Sequence, residues 1–524
     1  MNSKNNNHHF GARMLKDYAN YDALGLAQLI KDKEISATEL LDTAIARAEQ
    51  ENPAINAIIT KLYDFGHQQI KQGLPEGPFL GVPFLLKDWL TPLEGTPLSN
   101  GSAALKGNIS PSDSEMVKRY KSSGLVIFGK TNTPEFGLMG VTEPKAFGPS
   151  RNPWNLNHTP GGSSGGSSAA IAAGIVPMAS ASDGGGSIRI PAACCGLFGL
   201  KPSRGRTATG PYFSDIWDGA AAEHVLTRSV RDSAAMLDIV AGPDGSSPYP
   251  VRKETGYLAC LEKPVRPLKI AYTVQSFFDR PVTEDAIQSV QHTVKLLESL
   301  GHTVDAVHPY INADDLLNSY LTMYYGHVAA DLEFVAKLLN SNFSNLDVED
   351  TTKLMGYIGK KISAEQFVTA KRHWNEFSQS MHALHQEYDL LLTPTLGSEP
   401  VPIGEFDLGL LDKIGTKVVN AFGLQKMLLK LGMTKKSALE NLEKLPFTQL
   451  ANLTGQPAMS VPLYWTQSGL PLGSQFIAPL GDEKTLFQLA HQLEQAQPWF
   501  DRTPANKFKK TSANNNSAKE KASS

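Results

Sequence analysis

Residues 161–206 read GGSSGGSSAAIAAGIVPMASASDGGGSIRIPAACCGLFGLKPSRGR. Two small-residue clusters, GGSSGGSS at 161–168 and DGGGS at 183–187, flank an apolar segment. Glycine lets a backbone take positive φ or approach a ligand closely. Three glycines, Gly184, Gly185 and Gly186, stand directly before Ser187. That order predicts backbone N–H groups gathered in one concavity beside a hydroxyl. An oxyanion hole needs this layout, with donors placed where negative charge develops next to the attacking atom. A flexible Gly/Ser linker would not run straight into the apolar stretch at 188–200, which must be buried.

Working outward, residues 77–86 (GPFLGVPFLL) read as a buried strand that delivers Lys87 and Asp88. An ammonium is costly to bury, so a lysine there is either a snorkelling strand-end residue or a functional base. Residues 124–131 (GLVIFGKT) fit the P-loop pattern literally. Their middle residues are strand formers, so a strand and not a phosphate cradle is expected. Gly162 to Gly166 fits the GxSxG nucleophile elbow, but the preceding residues, with Pro153 and Pro160, are loop chemistry and not a strand.

These motifs together resemble the amidase signature family. GGSSGGS, DGGGSIRIPA and CGLFGLKPSRGR carry the resemblance, with Lys87 in GVPFLLKD and, further on, DLLLTPT (389–395) and NLTGQP (452–457). GKTNTPEFG (129–137) and SRNPWNLNHTPGGSSGGSS (150–168) look most like its 6-aminohexanoate-cyclic-dimer hydrolase branch. The resemblance covers about residues 20–500. It implies an α/β fold, a single large domain whose mixed β-sheet core is covered by helices on both faces. It also implies amide hydrolysis by a Ser-Ser-Lys triad: Ser187 as nucleophile, Ser163 as bridge after a cis Gly162–Ser163 peptide, and Lys87 as base. Carried over residue by residue, the oxyanion hole falls on the N–H groups of Gly184, Gly185, Gly186 and Ser187. Ser164, Asp183 and Arg189 support the loops. Gly184 stands where many members have Ile or Thr. Ile190 stands where the amidase subunits of tRNA-dependent amidotransferases usually carry Gln, so a free-standing amidase is favoured over that subunit. A non-catalytic amide-binding protein is the reading from another class; retention of all three triad residues argues against it.

The rest of the chain sets the boundaries. The 524 residues carry net charge −3, so no nucleic-acid surface is expected. No apolar leader and no long apolar run appear, so no membrane span is expected and a cytoplasmic setting fits. Cys194, Cys195 and Cys260 form no framework or CxxC pair, so neither disulfides nor a metal is expected. The expected partner is a small amide; no cofactor is called for, and a homodimer is the candidate assembly.

Residues 1–20 read as a polar arm, 21–505 as the amidase domain (core about 75–210), and 506–524 as a disordered tail. Ser36 and Glu39 form a capping-box pattern opening a helix to about residue 50. Helices are expected over 112–122, 229–241, 283–300, most of 314–388 and 483–495. Strands are expected at 125–128, 269–273, 302–307, 390–392, 459–463 and 474–478, and a loop at 243–266. Residues 403–445 read as a helical cap. Tyr324, Tyr325, Phe422 and Leu424 are either pocket lining or core.

Overall fold

The computed structural model describes residues 14–245, 247, 251–406, 439–440 and 442–504. Phe422, Leu424, most of the expected cap, most of the N-terminal arm and the C-terminal tail lie outside the described residues.

One mixed sheet of eleven strands organises the chain. In chain order the strands are β1 (Ile58–Lys61), β2 (Pro83–Lys87), β3 (Val126–Thr131), β4 (Met178–Asp183), β5 (Phe198–Lys201) and β6 (Ala222–Thr227). They continue as β7 (Lys269–Tyr272), β8 (Thr303–Ala306), β9 (Leu390–Pro394), β10 (Ala458–Trp465) and β11 (Pro471–Ile477). Across the sheet they run β1-β3-β2-β4-β6-β5-β10-β11-β9-β7-β8. β2 pairs in parallel with both β3 and β4, whereas β4, β6, β5, β10, β11 and β9 follow one another antiparallel.

Strand side chains alternate between faces, and here both faces are buried. Leu390 and Leu392 enter one apolar cluster and Leu391 the other; Ile270 and Ala271 divide likewise, as do Phe476 and Ile477. Helices Val230–Val240, Glu284–Ser299 and Glu483–Ala496 supply the first cluster, and Ala313–Leu338 and Ala364–His385 supply the second. Strands wet on neither face read as continuous apolar runs, which is why LLL at 390–392 was recognisable.

Several boundaries shift. The strand expected over 77–86 is only Pro83–Lys87. Residues before it turn at Gly81 (φ 75°) and bind the 123–124 corner, with Phe79 N–H donating to Ser123 O at 3.0 Å and Gly81 N–H to Gly124 O at 2.8 Å. The capping box forms as read, and its helix, Ala37–Ile55, continues through Pro53 to end at left-handed Asn56. Helices Ala23–Lys31 and Tyr63–Gln72 and strands β1 and β6 have no counterpart in the sequence reading. β6 was hidden because its AEHVLT sequence mixes polar and apolar residues, although all six are buried. Among the described residues no helix is long and apolar enough to cross a membrane.

Candidate active site

β2 carries Lys87 to its C-terminal end, and neighbouring β4 receives it. Lys87 N–H donates to Ser180 Oγ at 2.7 Å, which locks the lysine backbone to β4. Its Nζ lies 2.6 Å from Ser163 Oγ and 2.9 Å from Ser182 Oγ, and the Trp89 ring centroid stands 5.0 Å away. The side chain is 1% exposed. That burial drives its pKa down to about 7, with the Asp183 and Glu223 carboxyls pulling the other way. Burial in turn raises Glu223 to about 8, against the pull of Lys87. Glu223 faces Ser182 across the β4–β6 ladder, so both side chains share a sheet face.

Ser163 is fully buried and follows a cis Gly162–Ser163 peptide. Its loop is threaded between neighbours. A Cβ on Gly162 would stand 2.6 Å from Val141 O and 2.7 Å from Met139 O, so only glycine fits. Thr142 pins both ends of the turn, its Oγ1 donating to Gly161 O at 2.9 Å and accepting from Gly165 N–H at 3.2 Å. Helix Gly165–Ala172 then begins. Ser164 Oγ exchanges 3.4 Å contacts with Ser182 O and Ser182 N, which ties this loop to β4.

The Gly184–Ser187 loop leaves the end of β4 and runs into helix Arg189–Cys195. Asp183 is its anchor. Its carboxylate accepts from Gly186 N–H at 2.7 Å and Ile188 N–H at 3.2 Å, and pairs with Arg189 Nη2 at 2.9 Å, with both side chains fully buried. Burial alone would raise the Asp183 pKa; the Arg189 guanidinium and the hydrogen bonds outweigh it and hold the carboxyl well below the carboxylate range. Arg189 also donates to Thr448 O (2.8 Å), Gln475 Oε1 (2.7 Å) and Asn452 Oδ1 (2.7 Å). Asn452 Nδ2 donates to Asp183 O (3.0 Å), Asp183 Oδ1 (2.9 Å) and Ala220 O (3.0 Å). Asp183 and Arg189 therefore tie the loop to the segments that carry Thr448, Asn452 and Gln475.

Of the expected oxyanion donors, Gly186 N–H is already committed to Asp183. A carboxylate behind the loop competes for that N–H. The Gly185 carbonyl is also held, by Thr448 Oγ1 at 2.6 Å, and the Gly186 carbonyl accepts from Ile190 N–H at 2.7 Å. The N–H groups of Gly184, Gly185 and Ser187 have no acceptor among the described residues. Each glycine has its own reason to lack a side chain. A Cβ on Gly184 would lie 2.7 Å from the Trp217 ring and one on Gly185 2.1 Å from Tyr320 Oη; Gly186 sits at φ 127°. Gly185 and Ser187 are the half-buried members of an otherwise buried loop. Ser187 Oγ has no hydrogen bond among the described residues, so the expected Ser187–Ser163 contact is not made.

Lys87 and Ser163 are thus in direct contact, beside the β4 strand that leads into the Ser187 loop. Reading the sequence missed Ser180 and Ser182, which lie in the apparently bland segment before Asp183. It also gave no roles to Thr448, Asn452 and Gln475; the NLTGQP motif was visible, but not what Asn452 binds. Tyr324 joins a chain of rings from Trp89 through Trp217, at 6.1 and 5.5 Å between centroids, and is buried with them in the second apolar cluster. The P-loop pattern at 124–131 ends in β3, and Lys130 Nζ donates to Pro97 O.

The chain belongs to the Amidase family, which it matches over residues 39–487. It is accordingly a hydrolase of carbon–nitrogen bonds other than peptide bonds. It is 35% identical to 6-aminohexanoate-cyclic-dimer hydrolase of Paenarthrobacter ureafaciens over 491 residues, 92% of this chain and 96% of that one. Among solved structures it is similar to 6-aminohexanoate cyclic dimer hydrolase complexed with substrate, at TM-score 0.84 and 34% identity, covering 94% and 99% of the two chains. It is also similar to a bacterial aryl acylamidase of the amidase signature family, at TM-score 0.79 and 28% identity, covering 93% and 98%.

Proposed function

We propose that the chain hydrolyses a small linear or cyclic carboxamide with Ser187 as nucleophile and Ser163 and Lys87 as its proton relay. The observation that carries this reading is the buried Lys87 Nζ, held near neutral pKa and 2.6 Å from Ser163 Oγ. A serine needs a base to become a nucleophile. A lysine depressed to about 7 is half deprotonated at neutral pH and can accept a proton.

Ser187 Oγ attacks the amide carbon as its proton passes to Ser163 and the Ser163 proton passes to Lys87. Negative charge on the carbonyl oxygen meets the N–H groups of Gly184, Gly185 and Ser187. Collapse breaks the C–N bond, and the same relay run backwards protonates the leaving amine. Water then attacks the acyl-enzyme through the relay and releases the acid. The Ser187–Ser163 contact is the step that substrate must complete, because catalytic hydrogen bonds commonly tighten only in the Michaelis complex. The rings of Trp89, Trp217, Tyr320 and Tyr324 beside the loop favour an apolar acyl portion.

The test is a hydrolysis screen of the purified chain alone on aliphatic carboxamides, aryl amides, cyclic amide dimers and glutamine. Turnover of at least one amide without ATP, tRNA or metal, abolished in Ser187→Ala, is expected. Activity only on glutamine and only with a partner subunit would replace this reading with the amidotransferase one.

A further inference from the structure

Tyr320 projects from helix Ala313–Leu338 onto the Ser187 loop. A Cβ on Gly185 would stand 2.1 Å from its Oη, so the phenol oxygen sits directly over the Gly185 Cα. The next ring on the same helix face, Tyr324, stacks on Tyr320 at 5.9 Å and donates its hydroxyl to Leu138 O. Tyr320 Oη makes no hydrogen bond among the described residues, and the residue is 9% exposed. Burial, with a contribution from the Asp183 carboxylate, pushes its pKa well above the ordinary phenol value, while Arg189 pulls weakly the other way. The phenol therefore keeps its proton at any working pH. Around it the loop is rigid: Thr448 holds the Gly185 carbonyl and Asp183 holds the Gly186 N–H. A protonated donor with no acceptor among the described residues stands against Gly185, two residues before Ser187.

We propose that Tyr320 is a catalytic residue whose phenol O–H donates to the substrate carbonyl oxygen and to the oxyanion formed from it. It adds a side-chain donor to the backbone N–H groups of Gly184, Gly185 and Ser187. No proton is transferred; the O–H bond stays with Tyr320 throughout, and the oxyanion is stabilised by a hydrogen bond that strengthens as charge develops. The inference rests on Ser187 being the nucleophile. It also accounts for the commitment of Gly186 N–H elsewhere, because the phenol restores a donor to the site.

Tyr320→Phe keeps the ring and removes only the hydroxyl. The wild type and this variant of the full chain are treated with a fluorophosphonate, whose phosphoryl oxygen occupies the oxyanion site. The rate of Ser187 labelling is read by peptide mass spectrometry, beside kcat and KM on an aliphatic p-nitroanilide and the melting temperature. Labelling and kcat are expected to fall by about 100-fold, the lower end of what loss of one oxyanion donor costs, with KM and melting temperature nearly unchanged. Equal labelling rates and equal kcat in the two proteins overturn the role of Tyr320 alone. Absence of label at Ser187 in the wild type overturns the nucleophile assignment and this inference with it. A variant slowed only in proportion to its lost stability assigns Tyr320 to packing and also overturns the proposal.

Discussion

Lys87 Nζ and Ser163 Oγ meet at 2.6 Å inside the protein, one at the end of strand β2 and the other in the turn before helix Gly165–Ala172. Seventy-six residues separate them in the chain. With the lysine 1% exposed, this is a buried contact and not that of a surface charge.

Activity should therefore rise with pH. In the proposed relay the neutral lysine is the working form, and its pKa near 7 places the ascending limb of kcat around neutrality, with a plateau above it. Lys87→Ala should lose several orders of magnitude in kcat. Lys87→Arg should be nearly as poor, because a guanidinium stays protonated in proteins. Both belong beside melting curves: a folded, active Lys87→Arg enzyme would show that the site uses a charge and not a base.

Arg189→Leu should unfold at lower urea. It strips Asp183 of its fully buried partner, and loss of one member of a buried pair costs about 3–5 kcal/mol. Asn452→Ala acts on the same network through four lost hydrogen bonds and should be milder, since Asp183 and Arg189 keep each other as partners and neither is left as an isolated buried ion. Equilibrium urea unfolding measures both, and an Arg189→Leu protein as stable as wild type would refute the anchoring role of the pair.

Gly185→Ala should destabilise by about 1–3 kcal/mol, the usual cost of overpacking, and should impair turnover. Its Cβ meets Tyr320 Oη at 2.1 Å but Tyr320 Cζ only at 2.9 Å. Adding Tyr320→Phe should therefore restore part of the lost stability and none of the lost kcat. Thermal melts of the double-mutant cycle read the coupling, and strict additivity would show that the two positions do not touch in solution.

Magnesium-ATP should leave the melting temperature unchanged. The P-loop pattern at 124–131 ends in strand β3, its Lys130 ammonium is spent on Pro97 O, and its backbone is paired with β1 and β2. A nucleotide-dependent rise in differential scanning fluorimetry would contradict this.

Much of the site was legible because it is local. Three glycines before Ser187, the Gly/Ser turn at 161–168 and an apolar run ending in Lys87 each state a backbone requirement within a few residues. The double-faced core at 390–392 was legible for the same reason, since a strand buried on both sides leaves an unbroken apolar run. Strand β6 was not, because its Glu223 and His224 are buried at cost and their polarity imitates a loop. Tertiary structure alone decided what each group can do. Whether Lys87 is a cation or a base depends on burial by strands distant in sequence. Whether Gly186 N–H can serve an oxyanion depends on the Asp183 carboxylate behind it. That carboxylate is held in turn by Asn452, 269 residues away, and by an arginine that reaches Gln475, 286 residues beyond it. Spacing along a chain carries conformational preference, but electrostatics and hydrogen-bond competition act through space, and only folding sets those distances.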